Sequence, residues 1–441
     1  MATKSKVLAT GALIVLLCII VAGTMWFMGH SKVASRLQTI KAQGLPSTSA
    51  EINDYYVVPT DRADATAEWV AVIQSLTGPQ FNAKVADLPI LGRGDKPPLP
   101  GIEWNQLDAS REFLATMSTE LTAAHAAAAS AGYVRFPIDF SMGFNTLLPN
   151  TQESRTVARL FMLEAYVNAH DGDYDQAYQD VQGMLATAEA MHFEPTLISQ
   201  LVRVAIRAMA IHTIEELVST SDWSDAQLAD LQTRLAAADV KTGIKRSLIS
   251  ERAMGVGAVK KINPLFRSTN ELEALDFYKT LIASMDEPWS SAIKTGKELG
   301  DSVKELSSSS FGKIKYAGVL QILPATEQVI IAGARSSAET RCAVVGLAIR
   351  RFERQQGKEP ESMNELSANF FALPEGQTFE EIMTDPFDEQ PIKTKGATDH
   401  IAVYSVGPDL IDGQGDLGSE DSSPGPTDIG FRLHRKPVAD K

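Results

Sequence analysis

The sequence predicts a mainly α-helical protein with an N-terminal transmembrane helix, an α-helical bundle or superhelical body, and a small α+β C-terminal domain with a short antiparallel sheet. Three observations carry that reading. Val7–Met28 is a run of 22 residues without a charge. From Asn105 to Gln356, apolar residues recur at three- and four-residue spacing between polar turns. Beyond Gly357 the pattern changes to short β-branched runs separated by acidic, glycine-bearing loops.

The apolar run comes first. At about 1.5 Å per residue it spans roughly 33 Å, the thickness of a bilayer's hydrocarbon core. Trp26 and Phe27 fall at its end, where amphipathic rings settle at the interface, and Lys4 and Lys6 flank its start. The run is longer than the hydrophobic stretch of a cleaved signal peptide and no small-x-small site follows it, so residues 1–30 read as a retained signal anchor. The lysines favour a cytoplasmic N-terminus, which puts a single-pass protein in a bacterial inner membrane with its body in the periplasm. Lys32, Arg36 and Lys41 follow the run and reduce the charge asymmetry.

Composition bounds the rest. A chain of 441 residues supports more than one compact unit, and 44% hydrophobic with 22% charged residues is ordinary for a folded protein. The net charge of -14 repels nucleic acid. Cys18 lies in the apolar run and Cys342 stands alone in the body, so an intramolecular disulfide framework is excluded and the cysteines do not report compartment.

Residues 31–104 read as a linker with one docked helix. Ala42–Thr60 and Asn82–Glu103 are rich in turn formers, and Asp64–Leu76 between them spaces Trp69, Val70, Val72, Ile73 and Leu76 as a helix. Residues 105–323 read as the helical body. A helix from Asn105 to about Ala131 precedes an irregular stretch, and a second stops at His170-Asp171-Gly172-Asp173 before a third begins. That hairpin, Ala158–Ala188, resembles a single tetratricopeptide unit through Ala165, Tyr166, Gly172, Asp173, Tyr174 and Ala177, with no second copy at the repeat period. Thr196–Val218 is apolar around most of its circumference and is expected to be the central core helix. Ser224 with Gln227 forms a capping box for Asp225–Ala238, and Ile244–Val259 continues the bundle. Arg203, Arg207, Glu251 and Arg252 read as surface charges or a structural ion network, with a buried polar cluster as the alternative. Two helices are expected in Asn270–Leu323, separated at Ser307–Ser310. A long helix then follows Pro324, running from Ala325 to Gln356 and ending at Gly357.

Residues 324–441 contain the one segment with a chemical signature. A long helix ends in Gln355-Gln356-Gly357-Lys358-Glu359-Pro360 and is followed by Ser362–Leu366 and then by Thr384-Asp385-Pro386-Phe387-Asp388-Glu389-Gln390-Pro391. The strand Ile401–Val406, the loop Gly407-Pro408-Asp409 and Asp428-Ile429-Gly430 complete the series. This order of elements resembles the globular domain of the major pseudopilins of type II secretion. The resemblance implies a small α+β domain whose loop between the last strands binds calcium. A pseudopilin places its hydrophobic helix directly before this domain, whereas here the whole helical body intervenes.

The residues point to a metal on their own account. Gly407–Gly430 holds Asp409, Asp412, Asp416, Glu420, Asp421 and Asp428 and no base. Each like-charged pair near 4 Å costs roughly 1 to 4 kcal/mol, so the loop either stays splayed in water or gathers around a hard cation. Calcium accepts several carboxylates in irregular geometry, and Asp409, Asp412, Asp416 and Asp428 are the expected ligands. The spacing is not that of an EF-hand.

Other chemistry leaves no signature. There is no HExxH, P-loop, GxSxG or dinucleotide fingerprint. His125, His170, His192 and His212 lie in helical stretches and read as caps or surface residues. Ser291 with Lys294 and Ser310 with Lys313 have Ser-x-x-Lys spacing, which arises by chance in a chain this rich in both. The leading expectation is a membrane-anchored, non-enzymatic interaction or scaffold protein with a protein partner and a calcium-stabilised terminal domain. The alternatives are an accessory component of a secretion or pilus-like apparatus and a hydrolase whose site is assembled from distant helices.

Overall fold

The computed structural model describes residues 23–24, 27–76, 79–130, 132–259, 264–323, 326–418 and 428–435. The apolar run expected to cross the membrane lies outside the described residues, apart from its last few positions. Within them the chain is mainly helical, with a small three-stranded antiparallel sheet near the C-terminus.

Helix α1 covers 27–42. Short helices α2 (Ile52–Tyr55), α3 (Thr66–Ser75) and α4 (Pro79–Val85) follow, and Ile52 and Tyr56 are buried against Phe140, Ala253 and Met254. The single helix expected over 105–131 is two, α5 (Leu107–Thr116) and α6 (Ser118–Ala129), because the backbone leaves helical geometry at Met117 (φ -107°, ψ 13°). The break lets Phe113 and Leu114 on one side, and Leu121 and Ala124 on the other, all reach the core.

Helices α7 (Asn150–His170) and α8 (Tyr174–Ala190) form the expected hairpin. Gly172 supplies the positive φ of its turn (+79°), and the Asp173 carboxylate caps α8 by accepting from the Gln176 amide at 3.0 Å. The two helices approach closely because Gly183 faces the Phe161 ring, where a Cβ would sit 2.7 Å from a ring carbon.

Helix α9 (Leu197–Leu217) packs on α7, α8, α11 and α16. Helix α10 (Asp225–Ala236) begins in the capping box of Ser224 and Gln227, and α11 covers Val240–Val259. Where two helices are expected before residue 324, there are four: α12 (Arg267–Ser284), α13 (Trp289–Leu306), α14 (Ser310–Lys315) and α15 (Ala317–Ile322). Pro288 introduces α13, since a ring-locked φ suits a helix start, and Ser309 caps α14 through the Gly312 amide.

Helix α16 (Thr326–Gln356) is the spine. One side packs on α9, α10, α11 and α13, and the other carries β2 (His400–Ser405) and β3 (Ile429–His434), with β1 (Lys393–Gly396) outermost. Val403 pairs with Thr394 on one side and Phe431 on the other, fixing the register. Phe431 lies over Gly346. A short helix α17 (Phe379–Ile382) packs beside α16. Polar stitches tie the same surfaces: Arg351 forks onto Asp225 at 2.9 and 3.0 Å, and the Gln232 amide donates to the Val344 and Phe370 carbonyls. One apolar cluster therefore runs continuously from Ala65, which precedes α3, to Leu433 in β3.

Among the described residues two stretches, Leu197–Leu217 (α9) and Ala317–Gln356 (which takes in α15 and α16), are long and apolar enough to cross a membrane by length and composition. About half of each apolar window, 56% and 47%, is buried inside the body, which is how a core helix of a large bundle satisfies the same composition.

Candidate functional site

Three helices converge on a polar cluster inside this apolar frame. Helix α6 contributes His125, α7 contributes Glu164 and Asn168, and α8 contributes Gln176 and Asp180. Each pair on one helix is four residues apart, so both side chains leave the same face. The alanines of α6 leave space for the approach, with Ala124 and Ala127 buried beside it.

His125 Nε2 lies 2.9 Å from Glu164 Oε2 and 3.3 Å from Asp180 Oδ1. Asn168 donates to Asp180 Oδ2 at 2.7 Å and Gln176 to Asp180 Oδ1 at 3.1 Å. The imidazole packs edge-on against Phe161, with ring centroids 4.9 Å apart. Asp180 is fully buried, and the side chains of His125 and Glu164 keep only 24% and 15% exposure. His125 is thus neither a cap nor a free surface residue.

Burial disfavours the imidazolium, but the hydrogen bonds to Asp180 and Glu164 outweigh it and raise the His125 pKa to about 9. Burial is also the largest influence on Asp180 and pushes its carboxyl up, with the Glu164 charge adding to it against the pull of His125. Two carboxylates thus compete for one cation. Among the described residues, His125, Glu164 and Asp180 are the group whose donor atoms all lie within 4.8 Å of one another, close enough to hold one metal ion.

No family model, curated protein or solved structure matches this chain.

The four expected calcium ligands lie between β2 and β3 in the chain, at the end of the sheet where Lys393 and Tyr404 sit. Asp409 accepts from the Ile411 amide (3.1 Å), Asp412 from Gln414 (2.9 Å) and Asp416 from Gly418 (2.9 Å), so each closes its own turn. Asp412 also pairs with Lys393 at 3.0 Å and accepts from the Tyr404 hydroxyl. Asp428 is buried and accepts from the Gly413 and Gly415 amides at 3.1 and 2.7 Å. Burial raises its pKa, the two amides oppose that, and the charges of Asp412 and Asp409 raise it further. Glu420 and Asp421 lie outside the described residues.

A second ion cluster lies deeper. Arg203 and Arg207 on α9 are 1% and 0% exposed, and both reach Glu189 on α8. Their burial corrects the expectation of surface charges, and the acid they meet is Glu189, not Glu251; Arg252, also buried, donates instead to the Pro46 carbonyl at 3.4 Å. Glu189, the partner that sequence reasoning did not name, opens onto a cleft of about 880 Å³ that Trp69, Tyr133, His192 and Arg234 also line. A second cleft of about 920 Å³ separates the α10–α11 turn from residues 375–389. Its walls bring Lys241, stacked 5.1 Å over the Trp289 ring, near Arg341, Glu381 and Asp385.

Proposed function

We propose that the chain is a membrane-tethered, non-enzymatic interaction protein whose helical body is held at a bilayer surface. The supporting observation is the seating of α1, the direct continuation of the apolar run. His30 Nδ1 meets the Ser268 hydroxyl at 2.9 Å, Arg36 pairs with Asp276, and Val33 is buried. The end of the run is therefore bonded to α12 and is not a loose thread. Phe27, Met28 and Leu265 are exposed around that junction, and so are Phe311 and Ile314 of α14, whose Phe311 ring packs against Phe266. Exposed apolar side chains beside an anchor, with Lys313 and Lys315 among them, fit the headgroup boundary of a membrane.

The 920 Å³ cleft, walled by both charge signs and one indole, suits a charged segment of a partner protein. The C-terminal acidic loop takes up calcium through Asp409, Asp412, Asp416 and Asp428, offsetting the burial that raises the Asp428 carboxyl and the smaller push from the Asp412 and Asp409 charges. The placement of a long helix before a three-stranded antiparallel sheet also favours a second reading, an accessory component of a secretion or pilus-like apparatus. The deciding experiment is alkaline carbonate extraction of membranes, with protease treatment of intact spheroplasts. Retention in the pellet with cleavage of the body from outside supports the proposal, and release into the supernatant refutes it.

A further inference from the structure

We propose that His125 Nε2, Glu164 and Asp180 form a binding site for a divalent transition-metal ion of the zinc class, which clamps α6 to the α7–α8 hairpin. The proposal is independent of membrane tethering: a chain that washed off the bilayer would still load the ion.

The geometry is poor for a hydrogen-bonded triad and good for a metal. An imidazolium Nε2 carries one proton, yet two carboxylate oxygens approach that same atom at 2.9 and 3.3 Å, with the Gln176 amide nitrogen at 3.5 Å. One N–H serves one acceptor well, whereas an ion draws lone pairs from several directions at once. Tetrahedral bonds of about 2.0–2.1 Å place ligand atoms about 3.3 Å apart; the two carboxylate oxygens lie 2.9 and 3.3 Å from Nε2, and all three donor atoms fall within 4.8 Å of one another. No side chain has to cross the site to reach the ion.

Charge points the same way. With both carboxylates ionised, the protonated cluster carries one surplus negative charge around the fully buried Asp180. A divalent ion bound to neutral imidazole and two carboxylates is neutral. The exchange is balanced: the hydrated ion sheds waters to solvent and keeps one as its fourth ligand, the Nε2 proton leaves to solvent, and three bonds form to the imidazole and the two carboxylates. The imidazole nitrogen favours zinc-class ions over calcium, which takes oxygen donors. Asn168 and Gln176, both bonded to Asp180, hold that carboxylate in place as an outer shell. The two large clefts are lined by other residues, so the ion's role is to join helices, as inward-facing ligands do in helix bundles.

The test uses the full-length protein in detergent, stripped with chelator and titrated with zinc chloride by calorimetry in two buffers of different protonation enthalpy. The expected result is a single ion per chain, release of about one proton per ion at pH 8, and an upward shift in Tm. Cobalt chloride should give the intense visible bands of a tetrahedral site. H125Q and E164Q should abolish stoichiometric binding with far-UV circular dichroism unchanged, and N168A should weaken it about 10- to 100-fold. D412N, in the C-terminal loop, should bind as the parent does. If H125Q fails to fold, E164Q decides. Absence of stoichiometric zinc binding by the parent chain, or undiminished binding by folded E164Q, overturns the proposal.

Discussion

Replacing Glu189 with Gln should strand two guanidiniums in the core. Arg203 Nη2 holds the Glu189 carboxylate at 2.9 and 3.1 Å and Arg207 Nη1 reaches it at 3.4 Å, while His192 approaches the same group at 3.4 Å. Removing one partner of a buried ion pair costs about 3–5 kcal/mol. Here two things moderate the loss: the Leu235 and Asp239 carbonyls still accept from Arg207 and Arg203, and the Glu189 side chain is 42% exposed at the cleft, where water can follow. The lower end, about 3 kcal/mol, is expected in urea unfolding at pH 7, with an unchanged m-value.

The penalty should also depend on pH. Burial opposes ionisation of Glu189, but Arg203, with His192 and Arg207, holds its carboxyl well below the ordinary value of 4.5. A depressed carboxylate contributes stability above its unfolded pKa and loses it as pH falls through the folded one. The gap between E189Q and the parent should therefore be full above pH 4.5 and shrink in stronger acid. A loss below about 1 kcal/mol at neutral pH, or a gap that ignores pH, would refute the claim that this carboxylate neutralises the buried arginines.

Glu339 gives the opposite sign: burial pushes its carboxyl to about 7, against the pull of Arg335, so ionising it costs stability between pH 4.5 and 7, and E339Q should gain about 2 kcal/mol at pH 8 and little at pH 4. Metal-free His125, raised from 6.5 to about 9, contributes stability that is complete below pH 6.5 and lost through pH 9; the melting temperatures of the stripped parent and H125Q should converge by pH 10. G346A would place a Cβ 2.4 Å from the Phe431 ring and force β3 off α16, lowering stability by about 1–3 kcal/mol in the same unfolding assay. D385A would orphan the Phe387 and Val406 amides and the Ser405 hydroxyl, which the buried carboxylate accepts at 2.8, 2.9 and 2.8 Å; a loss of about 2–3 kcal/mol is expected, and a neutral result would mean that the 384–391 turn does not depend on it.

Much of the helical layout was legible residue by residue. The Ser224–Gln227 box, the turn at Gly172 and the long helix ending at Gly357 each depend on neighbours within four residues, where backbone propensity and side-chain capping decide the outcome. The break at Met117 was not legible, because it follows from packing Phe113 and Leu121 into one core. Nor was the burial of Arg203 and Arg207, since whether an arginine on an apolar helix faces water depends on what covers it.

The candidate site shows the same division. His125, Glu164 and Asp180 are separated by the irregular stretch between α6 and α7 and by the tight turn between α7 and α8, and no fixed spacing relates them. The available signal was weaker: polar residues four apart on helices that otherwise bury their faces, Glu164 with Asn168 and Gln176 with Asp180. Hydrophobic periodicity and local capping are short-range, so the amino-acid order alone determined that this chain makes helices and where most of them end. Which charges meet depends on distances across the folded core, and those exist only after α6 has been laid against the α7–α8 hairpin.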